Sequence, residues 1–252
     1  MRMESTGAFY AHSVQGRATA EWQGLAEHLT AVAQLAGRFG SEFGGGDLAT
    51  VAGLLHDLGK YTHEFQDRLR GSEKRVDHST WGAHIALERY PNLGYLLAYA
   101  IAGHHAGLAN GQGDGRRSSL QERMAADLPK LLPDWQSELD LPSALPMPGF
   151  LKPHPERGMF QIAFLVRMLF SCLVDADFLD TEAFYNRVEG REDARPQADT
   201  MASLTDLRQA LDVHLAGFKL DKPVNRVRAE ILRHVRDQAD LAPGLFSLTV
   251  PT

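Results

Sequence analysis

The stretch that most constrains this chain is Val51–Lys60, VAGLLHDLGK. Leu48, Val51, Leu54, Leu55 and Leu58 recur at helical spacing, Asp47 is placed to cap the start, and Gly59 supplies a stop. The segment therefore reads as the last turns of a buried helix. His56 and Asp57 stand side by side in that apolar setting. Burying an imidazole and a carboxylate is costly unless they are paired or ligate a metal. The pair alone fits a structural hydrogen bond as well as a ligand pair, so the other histidines decide.

An amphipathic helix is expected over 19–39, with Trp22, Leu25, Leu29, Val32, Ala33, Ala36 and Phe39 on its inner face and His28 beside that stripe. The glycine run 44–46 follows. Residues 61–70 read as a short helix with a polar face and a solvated His63. A helix over 79–90, ended by Pro91, has His78 at its entrance; alone, His28 and His78 fit core and capping residues respectively. The run 94–105, GYLLAYAIAGHH, is nearly all apolar and finishes on His104-His105, which packing explains poorly. Residues 109–158 are irregular, with Arg116 and Arg117 in a loop, one short helix over 120–132, and His154 among prolines. The most hydrophobic helix runs over 158–179, and Asp175 and Asp177 near its end demand partners. Residues 181–198 read as loop. Helices over 202–218 and 224–238 carry His214 and His234 on their surfaces, and 244–250 reads as the one convincing strand. The class is all-α.

At 252 residues and 44% hydrophobic, the chain suits one large domain, or one with an appendage. The formal charge of −6 gives no global basic field, so contact with a polyanion must be local or carried by metal ions. Cys172 is the only cysteine, which excludes an intrachain disulfide and fits a reducing compartment. No apolar run approaches a membrane span and the N-terminus lacks a signal-peptide core, so the expectation is a cytoplasmic protein with no membrane partner.

The polar residues that interrupt or cap buried helices are His28, His56, Asp57, His78, His104, His105 and Asp177. Imidazoles with a few carboxylates suit Mn, Fe, Co or Ni better than Mg, which remains possible. Seven ligands are too many for one ion that keeps an open position. They suit two ions sharing Asp57, an arrangement that, at about 4 Å separation, supplies hydroxide for in-line attack on phosphorus. Lys60, one turn on, has two readings: a contact to a phosphoryl oxygen or leaving group, or a solvent-facing cation favoured by the helix dipole.

The order of these residues resembles the HD phosphohydrolase superfamily. The wording YAHS, WQGLAEHL, LLHDLGKYTHEFQDRL, VDHSTWGA, AIAGHHAGL and LVDADFLDTE resembles more narrowly the HD nuclease domain of the type I CRISPR-associated helicase-nuclease, with subtype C nearest. The resemblance spans about residues 10–182. It implies an HD-domain helical bundle, a first metal site of His28, His56, Asp57 and Asp177, and a second of His78, His104 and His105 with Asp57 shared. His78 is preferred to His84 because Ser79 and Gly82-Ala83 follow it as in the family. Asp177 is preferred to Asp175 by the register Ala176-Asp177-Phe178-Leu179, and His12, where relatives carry lysine, is placed near substrate. GLFSLTVPT resembles the strand that leads into the phosphate-binding loop of the helicase half, and no Walker motif occurs in the chain. This gives expected divisions of 1–218, nuclease domain, and 219–252, linker helix and first helicase strand. The implied activity is metal-dependent cleavage of single-stranded DNA, with the Cascade effector complex and a helicase as partners. Alternatives are a nucleotide or cyclic-nucleotide phosphohydrolase and a non-catalytic docking module.

Overall fold

The computed structural model describes residues 8–113, 118–152, 154–191, 202–242, 244 and 247–249. Arg116, Arg117 and much of the expected C-terminal strand lie outside these. The chain divides into two compact units, Met1–Ala194 and Arg195–Thr252.

The first unit begins with a short antiparallel pair, β1 (Tyr10–His12) and β2 (Gln23–Gly24). The sequence reading missed this pair. Because Gln23 and Gly24 are held by β1, helix α1 (Leu25–Ser41) starts at Leu25 rather than near Thr19. Its buried face, Leu25, Leu29, Val32 and Ala36, packs against α2 (Gly46–Leu55). Gly45, not Asp47, occupies the N-cap of α2; Asp47 sits in its first turn, where its charge suits the dipole.

Helix α2 ends at Leu55, and a 3-10 turn over Leu58–Lys60 follows. Gly59 is no left-handed stop. Its backbone N–H donates to the His78 carbonyl at 2.9 Å, and a Cβ there would lie 2.6 Å from His78 Cα. Glycine is thus needed for the close approach of two chain segments. Gly82 does the same one layer away: its Cβ would meet the Leu55 carbonyl oxygen at 1.8 Å.

Then come α3 (His63–Leu69), capped by Thr62, α4 (Thr80–Arg89), α5 (Gly94–Gly103), α6 (Leu120–Met124) and α7 (Trp135–Glu138). Helix α6 stops well short of Leu132, whose N–H is drawn instead to the Tyr61 carbonyl at 2.9 Å. Helix α8 (Gly158–Glu189) is the central rod, packed on α1, α5 and α2. It continues through residues expected as loop, because Phe184 and Asn186 are buried and the Tyr185 hydroxyl bonds the Ser13 carbonyl. Tertiary packing overrides local polarity here.

The second unit contains α9 (Leu204–Ala216) and α10 (Pro223–Asp237). Ser203 and Asp206 form a capping box, and Arg236 pairs with Asp212 across the two helices. Residues 244 and 247–249 form no strand, consistent with the absence of a partner ladder for them among the described residues. Among those residues, no helix is long and apolar enough to cross a membrane.

Candidate metal centre

The last carbonyls of an α-helix have no intrahelical donor. At α2 and α5 a histidine supplies one. His56, one residue past α2, places Nδ1 2.8 Å from the Gly53 carbonyl; His104, one residue past α5, places Nδ1 2.7 Å from the Ile101 carbonyl. A carbonyl only accepts, so each Nδ1 carries the proton and each Nε2 presents a lone pair. His28 orients its ring by another route, with Nδ1 2.7 Å from Asp180 Oδ2. His78 directs Nδ1 toward the Val76 carbonyl at 3.3 Å.

The four Nε2 atoms converge on Asp57, whose two oxygens face opposite ways. Oδ2 lies 3.6 Å from His28 Nε2 and 3.5 Å from His56 Nε2; Oδ1 lies 3.6 Å from His78 Nε2 and 3.3 Å from His104 Nε2. Asp177 Oδ1 stands 3.4 Å from His28 Nε2 and 3.6 Å from His56 Nε2. His105 joins Asp57, His78 and His104 in a group whose ligand atoms all lie within 4.8 Å of one another; so do the atoms of His28, His56 and Asp57, and those of His56, His104 and Asp177.

These separations exceed good hydrogen bonds. They match ligand pairs around one ion, which at bond lengths of ~2.1 Å stand ~3–3.5 Å apart. Five buried side-chain polar atoms lack a hydrogen-bond partner among the described residues, and four are His28 Nε2, His56 Nε2, His104 Nε2 and Asp57 Oδ1. Each such group costs about 1–3 kcal/mol if left unmet. A sum of that size concentrated at one point is a poor bargain for stability alone. Divalent metal coordinated there would satisfy these atoms, and the donor set fits it.

The electrostatics agree. Burial works to raise the Asp57 carboxyl, but Lys60 and His56, with His104 and His28, hold it well below the usual carboxylate range. Asp177 is likewise pushed up by burial and brought well down by His28 and His56. Burial works against protonation of His28, yet Asp177, Asp180 and Asp57 outweigh it and raise that imidazole to about 10. His105 falls to about 4 through burial and the neighbouring His104, and burial lowers His78.

Lys60 is not solvent-facing. It is buried, with Nζ 2.6 Å from Asp57 Oδ2 and 3.1 Å from the Ala11 carbonyl. Asp77 accepts from the N–H groups of Ser79 and Thr80 at 3.0 and 2.9 Å, fixing the start of α4 next to His78. Sequence reasoning passed over Asp77 and Asp180. The signals were an aspartate two residues ahead of a helix and an i, i+3 pair with Asp177 on one helical face. Asp175 is exposed, and Asp177 is buried. His12 lies edge-on to His28, with ring centroids 4.9 Å apart and Nδ1 2.7 Å from Gln23 Oε1. His63, His154, His214 and His234 are exposed, and His84 contacts Trp81 instead of the cluster.

The family model described as HD domain matches residues 25–132. An HD domain is found here. It supports a metal-dependent phosphohydrolase, and the cluster fits divalent metal binding. The match takes in His28, His56, Asp57, His78, His104 and His105, whereas Asp177 and Asp180 come from α8, beyond it. No curated protein matches the chain.

Proposed function

We propose that this protein is a metal-dependent nuclease that cleaves single-stranded DNA in type I CRISPR interference, working with a helicase and the Cascade effector complex. The observation that carries the reading is the division of Asp57 between two donor groups, His28, His56 and Asp177 on one side and His78, His104 and His105 on the other. The motif wording described above supports the choice of DNA as substrate.

When bound, two divalent ions supply a nucleophilic hydroxide and offset charge on the phosphoryl oxygens. The protein's own residues provide the frame. Asp57 divides its oxygens between the halves, and Lys60 holds one of those oxygens and balances its charge. The back-bonded rings of His56 and His104 cannot rotate without breaking helix-end hydrogen bonds, so their lone pairs are preorganised. His105 and the partly exposed His78 leave one side open for a phosphodiester. A strand without its complement reaches a recessed cleft that a duplex enters only after opening.

The test compares single-stranded DNA, duplex DNA, nucleotides and cyclic dinucleotides with Mn, Fe, Co, Ni and Mg in turn, against a chelated control. Cleavage of single strands, with duplex spared, is expected. Hydrolysis of nucleotides with single strands intact overturns the nuclease reading in favour of a nucleotide phosphohydrolase. Inertness toward every substrate in metal-loaded protein favours a docking module.

A further inference from the structure

We propose that Asp180 is the positioning residue of the centre: one carboxylate oxygen sets the tautomers of two histidines that come from different parts of the chain. The proposal rests on the metal-centre reading above and not on DNA as the substrate.

Asp180 Oδ2 stands 2.7 Å from His28 Nδ1 and 2.7 Å from Gln23 Nε2. A carboxylate only accepts, so His28 Nδ1 donates to it, which leaves Nε2, facing Asp57 and Asp177, as the atom that would ligate a metal. The same acceptor fixes the Gln23 amide with its nitrogen toward Asp180. Gln23 Oε1 then faces His12 Nδ1 at 2.7 Å, and that nitrogen must be a donor too. A chain of complementary groups thus runs His12, Gln23, Asp180, His28, across 157 residues between Gln23 and Asp180.

The parts are largely enclosed. Gln23 is 2% exposed, and the Asp180 side chain 13%. Asp180 follows Asp177 by three positions on α8, so one helical face delivers both a carboxylate of the cluster and the acceptor behind His28. His56 and His104 borrow helix-end carbonyls for this purpose, but His28 lies inside α1, where the backbone carbonyls are already engaged. It needs a side-chain acceptor, and Asp180 provides it. Such outer partners orient the ring and raise its basicity as a ligand, and their loss commonly lowers metal affinity by about 10–100-fold.

The experiment measures Mn2+ affinity by calorimetry and records imidazole 15N–1H spectra of metal-free, 15N-histidine-labelled protein. Wild-type protein is expected to show His12 as the Nδ1–H tautomer and His28 with a hydrogen-bonded Nδ1–H. Asp180→Ala should weaken the tighter Mn2+ site about 10–100-fold, remove the hydrogen-bonded Nδ1–H signal of His28 and turn the His12 ring into a tautomer mixture. Asp180→Leu, which fills the volume without an acceptor, should do the same if the alanine variant folds poorly. Asp180→Asn keeps an acceptor oxygen and should restore both Nδ1–H signals and most of the affinity. Gln23→Met should free the tautomer of His12 alone. Asp175→Asn, on the exposed face of the same helix, should change nothing. Wild-type Mn2+ affinity, or unchanged Nδ1–H signals of His28 and His12, in both Asp180→Ala and Asp180→Leu overturns the proposal. Protein that binds Mn2+ as expected and spares single-stranded DNA sinks the nuclease reading and leaves the role of Asp180 standing.

Discussion

The two halves of the centre share Asp57 and differ in access. On the Oδ2 side, His28 and His56 have side-chain exposures of 0% and Asp177 of 10%, and a further carboxylate stands behind His28. On the Oδ1 side, His104 is enclosed, but His78 has 22% exposure and His105 is exposed. On the proposed reading, the closed half would hold an ion and the open half would share one with an incoming phosphate. Charge repeats the contrast. In the metal-free protein the closed half stabilises a proton on His28, whereas the open half disfavours protons on His78 and His105.

The strongest way to break the comparison is to remove what both halves use. Asp57→Asn should lose both ions and lower hydrolysis by at least about 10³-fold, as expected for losing more than one electrostatic support. It also strands Lys60 in the interior, so denaturant unfolding should show a loss of about 3–5 kcal/mol. Retained turnover in that variant removes the bridging role. Next, Asp177→Asn should empty the closed half by metal analysis, with Asp175→Asn keeping both ions; the reverse pattern would place the ligand two residues earlier. His104→Ala should spare the closed half, reduce metal content by the second ion, and slow hydrolysis roughly 100-fold or more. Wild-type turnover there means that His104 serves only the end of α5.

The smallest effect concerns protons. His28, raised to about 10, holds its proton at neutral pH and must release it to accept an ion, so affinity at the closed half should climb about tenfold per pH unit below that value. His78 and His105 are already neutral, so binding at the open half should release no proton from either. Calorimetry in buffers of different ionisation enthalpy reads the two directly. Equal proton release at both halves contradicts the distinction.

Much of this was legible in the sequence because an ionisable residue at the end of an apolar helix has few explanations. His56-Asp57, His104-His105 and Asp177 all announce themselves in that way, and the structure brings them together. What stayed hidden depends on partners far along the chain. The β1–β2 pair is too short to show a period, and Gln23 matters only through Asp180. Lys60 reads as a surface cation until the Ala11 carbonyl and Asp57 enclose it. Gly59 reads as a helix stop because local pattern cannot reveal the backbone of His78 lying against it. The far end of α8 reads as loop because burial of Phe184 and Asn186 leaves no trace in nearby polarity.

The bonds from His56 to Gly53 and from His104 to Ile101 join fraying to coordination. A ring that swung away from a bound metal would also give up a carbonyl in the last turn of its helix, and a helix end that opened would carry its Nε2 off target. Metal loss and local unfolding at these two helix ends should then be coupled, read as amide exchange that quickens around 53–56 and 101–104 when metal is withdrawn.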